Sequence, residues 1–136
     1  MVVMNSEGRI EYSATAPGLV KSEIDQLFHD IEIVVSLDLD EYEVLYYSAQ
    51  IHFWLVKIHP FYDGNGRAAR LLEKWFLVAH FKEKGFALQT EKSYYQNLQD
   101  YYNNLRKTGF EYEDTDFSKA INFMLMSSKA IINTNK

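Results

Sequence analysis

The sequence predicts an all-α fold of one domain, preceded by a short extended segment. Apolar residues recur at helical spacing along most of the chain, and glycine or acidic residues separate the periodic stretches. Only residues 9–15 alternate in the manner of a strand. The 136 residues are enough for one hydrophobic core. We therefore expect a single domain over residues 1–136, with an N-terminal segment at 1–18 and a helical core at 19–132.

Composition argues against several classes of protein. The formal net charge of −5 disfavours general nucleic-acid binding through backbone phosphates. The sequence contains no cysteine, so disulfides and cysteine zinc sites are excluded. No apolar run is long enough to span a membrane, and residues 1–5 lack the pattern of a signal peptide. The default expectation is a cytoplasmic protein that contacts neither nucleic acid nor membrane.

The first elements follow from local patterns. Residues 1–8 carry little pattern and are predicted as coil, whereas residues 9–15 predict a short strand or hairpin. Ser22, with a carboxylate three residues later, predicts the N-cap of a first helix that ends near residue 37. A second helix, from about residue 41 to residue 58, is apolar on several faces and should be central. His52 on that helix is predicted to be a packed, hydrogen-bonded core residue.

Three further helices complete the expected bundle. The first covers residues 65–84 and should stop at Gly85, a favourable residue just beyond a helix C-terminus. The second covers residues 93–107 and is rich in tyrosine, and the last runs from residue 117 to about residue 132. On the first of these helices the residues predicted to be in the core are Leu71, Leu72, Trp75, Phe76 and Ala79.

The residues that carry chemistry are concentrated in HPFYDGNGRAAR, residues 59–70. His59 is the side chain best suited to proton transfer near neutral pH, and the proline after it disfavours helical geometry at that histidine. Gly64 and Gly66 let backbone N–H groups converge at the start of the next helix, where an anion is favoured. Phe61 is predicted to point into the core and to anchor the loop.

Charged side chains in the same stretch indicate a phosphate ligand. Arg67 and Arg70 are three residues apart on one helical face and suit bidentate phosphate contacts. Asp63 is a hard oxygen ligand of the kind that Mg²⁺ takes together with phosphate oxygens. A P-loop is disfavoured because no glycine is followed by Lys-Ser or Lys-Thr. The residues alone therefore predict transfer of a phosphorus group from a polyphosphate to a nucleophile that His59 deprotonates.

This stretch also resembles the motif HPFx[D/E]GNGRxxR of the Fic (filamentation induced by cAMP) domain family, at every specified position. The resemblance implies a Fic-like helical bundle with an N-terminal β-hairpin flap over the active site. It also implies a protein adenylyltransferase, which moves AMP from Mg-ATP to a hydroxyl side chain of a target protein. Gly66 supports AMP transfer, because a related branch that transfers phosphate has lysine at this position.

The resemblance assigns a role to each motif residue. His59 would take the proton from the target hydroxyl, and Asp63 would hold Mg²⁺. The α-phosphate would be fixed by Gly64, Asn65 and Gly66, the β-phosphate region by Arg67 and the γ-phosphate by Arg70. The flap would hold the target by strand addition. The tyrosine-rich helix would lie beside the nucleotide, with Tyr94, Tyr95, Asn97 and Tyr101 as candidates for contact with the base.

Control of the activity is where the resemblance is incomplete. Many Fic proteins carry an inhibitory helix with the pattern [S/T]xxxE[G/N]. Glu7 and Gly8 match its last two positions, but Val3 stands where serine or threonine is expected, so self-inhibition of that form is not expected. An antitoxin-like partner, a longer protein that contains this chain, and an unregulated enzyme all remain open, as does a homodimer.

Other functions fit the same motif. One group comprises other Fic-type reactions: transfer of a different nucleotide, transfer of phosphocholine, or removal of AMP from a modified protein. The other is a non-catalytic module that binds a nucleotide or a peptide.

Overall fold

A short hairpin followed by a bundle of helices forms the fold. The structure, a computed structural model, describes the backbone of residues 1–134 and the side chains of residues 1–129. Its strands are β1 (Val2–Met4) and β2 (Ile10–Ser13), and its helices are α1 (Val20–Val35), α2 (Glu41–Ile58), α3 (Asn65–Phe81), α4 (Glu83–Ala87), α5 (Thr90–Gln96), α6 (Leu98–Lys107) and α7 (Ile121–Thr134). The predicted all-α bundle with an N-terminal hairpin is confirmed.

Helix α2 is the central element, as predicted. It packs against α1, α3 and α7, and its side chains are buried on several faces, including Val44, Ala49 and Phe53. A capping box starts it: the side chain of Asp40 accepts from the Glu43 N–H at 2.8 Å, and the Glu43 side chain accepts from the Asp40 N–H at 3.3 Å. The start of this central helix is therefore well defined.

The hairpin pairs β1 and β2 in antiparallel register, with Val3 opposite Tyr12. Its turn is held by Asn5, whose side-chain oxygen accepts from the N–H groups of Glu7 and Arg9 at 2.9 and 3.0 Å. Residues 2–4, predicted as coil, are thus a strand, because three residues are too few for alternation to be visible. Glu7 lies in the turn and not on a helix, which agrees with the expectation that it does not form an inhibitory helix.

The predicted start of α1 and the predicted end of α3 are wrong. Helix α1 begins at Val20, following a 3-10 turn, and the Ser22 hydroxyl donates to the Leu19 carbonyl at 2.9 Å instead of capping the helix. Helix α3 already ends at Phe81, and Gly85 lies buried inside α4. A Cβ at Gly85 would come within 2.7 Å of the α3 backbone, so this glycine permits close packing and does not stop a helix.

The tyrosine-rich stretch is two helices and not one. Asn97, with φ −123° and ψ 44°, separates α5 from α6, and its side chain donates to the Ser93 carbonyl at 2.9 Å. In the part of the chain described by the structure, no helix combines the length and the apolar character that crossing a membrane requires.

Candidate functional site

A cavity of about 640 Å³ lies between the hairpin and the start of α3. Strand β1 and Met1 form one wall, the 59–70 stretch forms the other, and Tyr102 of α6 closes one side. The predicted site residues that line it are His59, Asp63, Gly64, Asn65, Gly66, Arg67 and Arg70. Of the residues predicted from the motif, only Phe61 is not part of this cavity.

His59 is the C-cap residue of α2 and has left-handed backbone geometry, with φ 57° and ψ 61°. Its N–H still donates to the Leu55 carbonyl at 2.9 Å, and Pro60 prevents continuation of the helix. A positive φ is uncommon for a residue with a side chain and is concentrated at functional sites. The strained turn ends α2 and brings the histidine to the cavity wall.

The environment of His59 favours its neutral form. Burial lowers the pKa of the imidazole, while the neighbouring Val56 carbonyl acts in the opposite direction to a smaller extent. Nδ1 is buried and has no partner at hydrogen-bond distance among the described residues. A half-buried imidazole that stays neutral at physiological pH meets the first requirement of a general base.

Asn65 closes the loop with its side chain. Its Oδ1 accepts from the Phe61 N–H at 2.9 Å, and its Nδ2 donates to the Phe61 carbonyl at 2.7 Å. The side chain is buried, so its amide is occupied within the protein. The resemblance implied a contact between Asn65 and the α-phosphate. In this structure the side-chain amide is bonded to the Phe61 backbone and shapes the loop that presents the glycine N–H groups.

The prediction that the Phe61 ring anchors the loop in the core is wrong. The ring is 50% exposed, and the anchor is its backbone, held by the Asn65 amide. The Phe61 ring lines an apolar groove of about 800 Å³ between α1 and α3. Leu71 and Trp75, also predicted to be in the core, are 72% and 49% exposed and line this groove too. Helix α3 turns its Ala69, Glu73, Phe76 and Leu77 face inward instead.

The start of α3 forms a cationic, glycine-lined pocket. Gly64 has φ 86°, and a Cβ there would come 3.2 Å from the Arg67 guanidinium. A Cβ at Gly66 would equally come 3.2 Å from the Arg70 guanidinium. Both arginines therefore lie close over the glycine backbone. Arg70 has no carboxylate at ion-pair distance among the described side chains, so its charge is free for a ligand.

The surroundings of Asp63 suit a metal ion that takes its other ligands from a phosphate substrate. One carboxylate oxygen accepts from the Gly64 N–H at 2.8 Å, and the other lies 3.3 Å from Arg67. The side chain is exposed, so these contacts are weak. No cluster of three acidic, histidine or cysteine residues occurs among the described residues. The donor set fits Mg²⁺ carried by phosphate oxygens and does not fit a metal enclosed by protein.

A buried polar network lies directly behind the site, and sequence reasoning found only its histidine. His52 contacts Glu73 at 2.8 Å through Nδ1 and the Tyr101 hydroxyl at 2.9 Å through Nε2. The Tyr94 hydroxyl donates to Glu73 at 3.0 Å. The prediction of His52 as a hydrogen-bonded core residue is confirmed. Because Glu73 lies one turn after Arg70, the network fixes the rotation of α3 beneath the cavity.

This network also revises the aromatic candidates for nucleotide contact. Tyr94 and Tyr101 are buried in it and do not line the cavity, and the Asn97 side chain donates to the Ser93 carbonyl of α5. Tyr102, which was not among the candidates, is the aromatic side chain of α6 that reaches the cavity wall. Tyr101 and Tyr102 are adjacent and both fit the helical spacing of apolar residues in this stretch, so that ambiguity was the available signal.

A histidine at a strained helix end, glycine amides at a helix start and two arginines line one cavity of this helical bundle, and their charge and donors suit an anionic ligand. The model of the Fic/DOC family matches residues 2–77, which include the hairpin, α1, α2 and most of α3. Since this is more than half of the chain, the protein belongs to the Fic/DOC family.

Several curated proteins are similar to part of this chain. "Protein adenylyltransferase Fic" of Aedes aegypti is 44% identical over 54 residues, which is 39% of this chain and 11% of that protein. The protein of the same name from Nematostella vectensis is 39% identical over 66 residues, 48% of this chain and 16% of that protein. "Uridine 5'-monophosphate transferase" of Xanthomonas campestris pv. campestris (strain 8004) is 53% identical over 34 residues, 25% of this chain and 6% of that protein. The matches thus span a small part of each relative. No solved structure gave a significant match.

Proposed function

We propose that this chain is a protein adenylyltransferase that moves AMP from Mg-ATP to a hydroxyl side chain of a target protein. The observation that carries the proposal is the convergence of His59, the glycine amides and both arginines on one cavity under the hairpin. The names of the relatives from Aedes aegypti and Nematostella vectensis agree with it.

The triphosphate lies along the start of α3. Free N–H groups of the first helical turn and the helix dipole bind the α-phosphate, while Arg67 and Arg70 bind the phosphates beyond it. The ion pair between Arg67 and Asp63 is exposed and opens at little cost, which frees the arginine for phosphate and the carboxylate for Mg²⁺. When bound by Asp63 and phosphate oxygens, Mg²⁺ supplies charge neutralisation for the leaving group.

His59 acts on the incoming hydroxyl. Its Nε2 accepts the hydroxyl proton as the oxygen forms a bond to the α-phosphorus. The bond between that phosphorus and the oxygen bridging to the β-phosphate breaks, and pyrophosphate leaves with the electron pair. Arg67 and Arg70 offset the charge that develops on this group. The products are the AMP-modified protein and pyrophosphate.

The target binds along β1. This strand pairs with β2 on one edge and borders the cavity with residues 1–4. A segment of target chain added to the edge of β1 would bring a serine, threonine or tyrosine hydroxyl over the cavity and towards His59. Strand addition uses backbone hydrogen bonds, so the hairpin positions the target without reading a long sequence.

A second candidate is transfer of UMP. It is favoured by the similarity to the uridine 5'-monophosphate transferase, which falls on 34 residues. Binding of the phosphates and proton transfer to His59 would be unchanged. Only the contacts to the nucleobase would differ, and Tyr102 lies on the cavity wall that would make them.

Labelled nucleotides test both candidates. Purified protein and a cell lysate are incubated with ATP or UTP labelled at the α-phosphate, and intact mass identifies the attached group. Labelling from ATP and an added mass of AMP support the proposal. Label from UTP alone supports UMP transfer, and a phosphocholine mass or loss of AMP from a modified protein indicates the other reactions.

The matched control uses two histidines. His59→Ala should abolish labelling, while His29→Ala, an exposed histidine on α1, should leave it unchanged. If no protein is labelled by either nucleotide, or if His59→Ala labels as well as the natural protein, the enzyme proposal is refuted and a nucleotide- or peptide-binding module is the better reading.

A further inference from the structure

Helix α6, which closes one side of the cavity, is joined to the central helix α2 by a buried hydrogen bond. The Tyr101 hydroxyl of α6 lies 2.9 Å from Nε2 of His52 on α2, and both side chains are buried. Helix α6 otherwise packs chiefly against α5, α7 and β2. The bond between Tyr101 and His52 is therefore a direct tie between the side wall of the cavity and the helix that ends at the catalytic loop.

The neighbours of this hydrogen bond indicate its direction. Nδ1 of His52 lies 2.8 Å from one carboxylate oxygen of Glu73, and the Tyr94 hydroxyl donates to the other oxygen at 3.0 Å. A proton on Nδ1 therefore meets an acceptor, and Nε2 keeps its lone pair. The Tyr101 hydroxyl has no other hydrogen-bond partner among the described residues, so it donates to Nε2. A proton on Nε2 would leave this buried hydroxyl without an acceptor, which is costly.

The ring of Tyr101 carries this constraint to the cavity. It packs edge-on against the ring of Tyr102, with 5.3 Å between the ring centroids and 81° between the ring planes, a favourable arrangement of two aromatic side chains. Tyr102 is half-buried and lines the cavity together with Arg70. A Tyr101 ring that is held at its hydroxyl end by His52 is a fixed surface for Tyr102 to pack against.

We propose that Tyr101 is a positioning residue for the nucleotide: its bond to His52 holds the Tyr102 ring at the cavity wall, where that ring contacts the nucleobase of ATP. The start of α3 and its arginines bind the phosphates, and Tyr102 offers an aromatic face on another wall of the same cavity. A wall that is already in place costs no free energy to order when the nucleotide binds. The inference rests on the proposed function, because it takes the ligand to be ATP.

The test compares nucleotide binding by two tyrosine variants in calorimetric titrations. Tyr101→Phe keeps the ring and removes the hydroxyl, so the Kd for Mg-ATP should rise by about two- to five-fold, up to the contribution of one neutral hydrogen bond. The Kd for pyrophosphate should stay the same, because pyrophosphate has no base. The matched control is Tyr94→Phe, which loses a comparably buried hydroxyl bond to Glu73. The residues of α5, all of which the structure describes, do not line the cavity, so neither Kd should change in this control.

A second variant tests whether Tyr101 acts through its neighbour. Tyr102→Ala should itself weaken binding of Mg-ATP and not of pyrophosphate, and adding Tyr101→Phe to it should weaken Mg-ATP binding no further.

The outcomes separate this proposal from the proposed function. The Tyr101 proposal is overturned by an unchanged Kd for Mg-ATP in Tyr101→Phe, by an equal loss in Tyr94→Phe or for pyrophosphate, or by a further loss when Tyr102 is already alanine. Each of these results leaves binding of Mg-ATP by the natural protein, and with it the enzyme assignment, intact. A natural protein that does not bind Mg-ATP at all would overturn the proposed function together with this inference.

Discussion

Replacement of Asn65 by alanine distinguishes a loop clamp from a phosphate ligand. The substitution removes two hydrogen bonds to the Phe61 backbone, at 2.9 and 2.7 Å, from a side chain that is 4% exposed. Each such bond contributes about 1 kcal/mol, so the free energy of unfolding should fall by about 2 kcal/mol. For a domain of this size that corresponds to roughly 6–10 °C in Tm. Both effects should appear without any nucleotide.

The assay is urea denaturation of the nucleotide-free protein, followed by titration with ATP. Asn122→Ala is the control, because Asn122 is an exposed asparagine on α7 and its loss should change stability little. If Asn65 served only to bind the phosphate, the result would be the opposite. Asn65→Ala would then weaken ATP binding and leave the nucleotide-free protein as stable as before. If that pattern is found for Asn65→Ala, the loop-clamp interpretation is refuted.

Four other expectations follow from charges and packing around the site. Since burial lowers the pKa of His59, the transfer rate should fall with decreasing pH only below about 6.5, the ordinary value for histidine; a rate profile whose acid limb lies higher would contradict this. Arg70→Ala should weaken binding of ATP more than binding of ADP in calorimetric titrations, and equal losses would remove its assignment to the terminal phosphate. Gly85→Ala should cost about 1–3 kcal/mol of unfolding free energy, because its Cβ would overlap the α3 backbone at 2.7 Å, whereas Gly18→Ala, with open space around it, should not. Burial lowers the pKa of Lys57 to about 8, so the unfolded chain binds more protons than the native state between that pH and 10.5. Stability should therefore rise with pH across this window, and it should do so less in Lys57→Met; a natural protein that loses stability there would show the amine to be stabilised as a cation.

The site was predictable to the extent that it is local in sequence. His59, Gly64 and Arg70 fall within one loop and the helix turn that follows, so their spacing alone places them around a common point. The hydrogen bond from the Tyr12 hydroxyl to the Val56 carbonyl was not predictable, because Tyr12 lies 44 residues before Val56 and belongs to the hairpin. Contacts of that separation depend on how elements pack, which periodicity does not report.

The errors in the core have a similar origin. Helix α3 carries apolar residues on more than one face, and its buried face was determined by the contact with α2. The buried face includes Glu73, whose carboxylate is hydrogen-bonded to a histidine and a tyrosine. Sequence reasoning placed Leu71 and Trp75 inside because they are apolar, although a paired carboxylate can replace them in the core once its hydrogen bonds are satisfied.

Strong contacts hold the motif loop on its buried side and weak contacts hold it on its exposed side. This difference suits a loop that binds phosphate without changing its backbone. Behind the loop, the side chain of Asn65 is 4% exposed and makes two hydrogen bonds to the Phe61 backbone. At its front, the ion pair of Asp63 and Arg67 is exposed and contributes little. A ligand that brings phosphate and Mg²⁺ therefore exchanges only the contacts of the exposed Asp63 side chain, to Arg67 and to the Gly64 N–H, and the bonds behind the loop stay in place. Binding energy is then not consumed in ordering the loop, which is what preorganisation of a phosphoryl-transfer site requires.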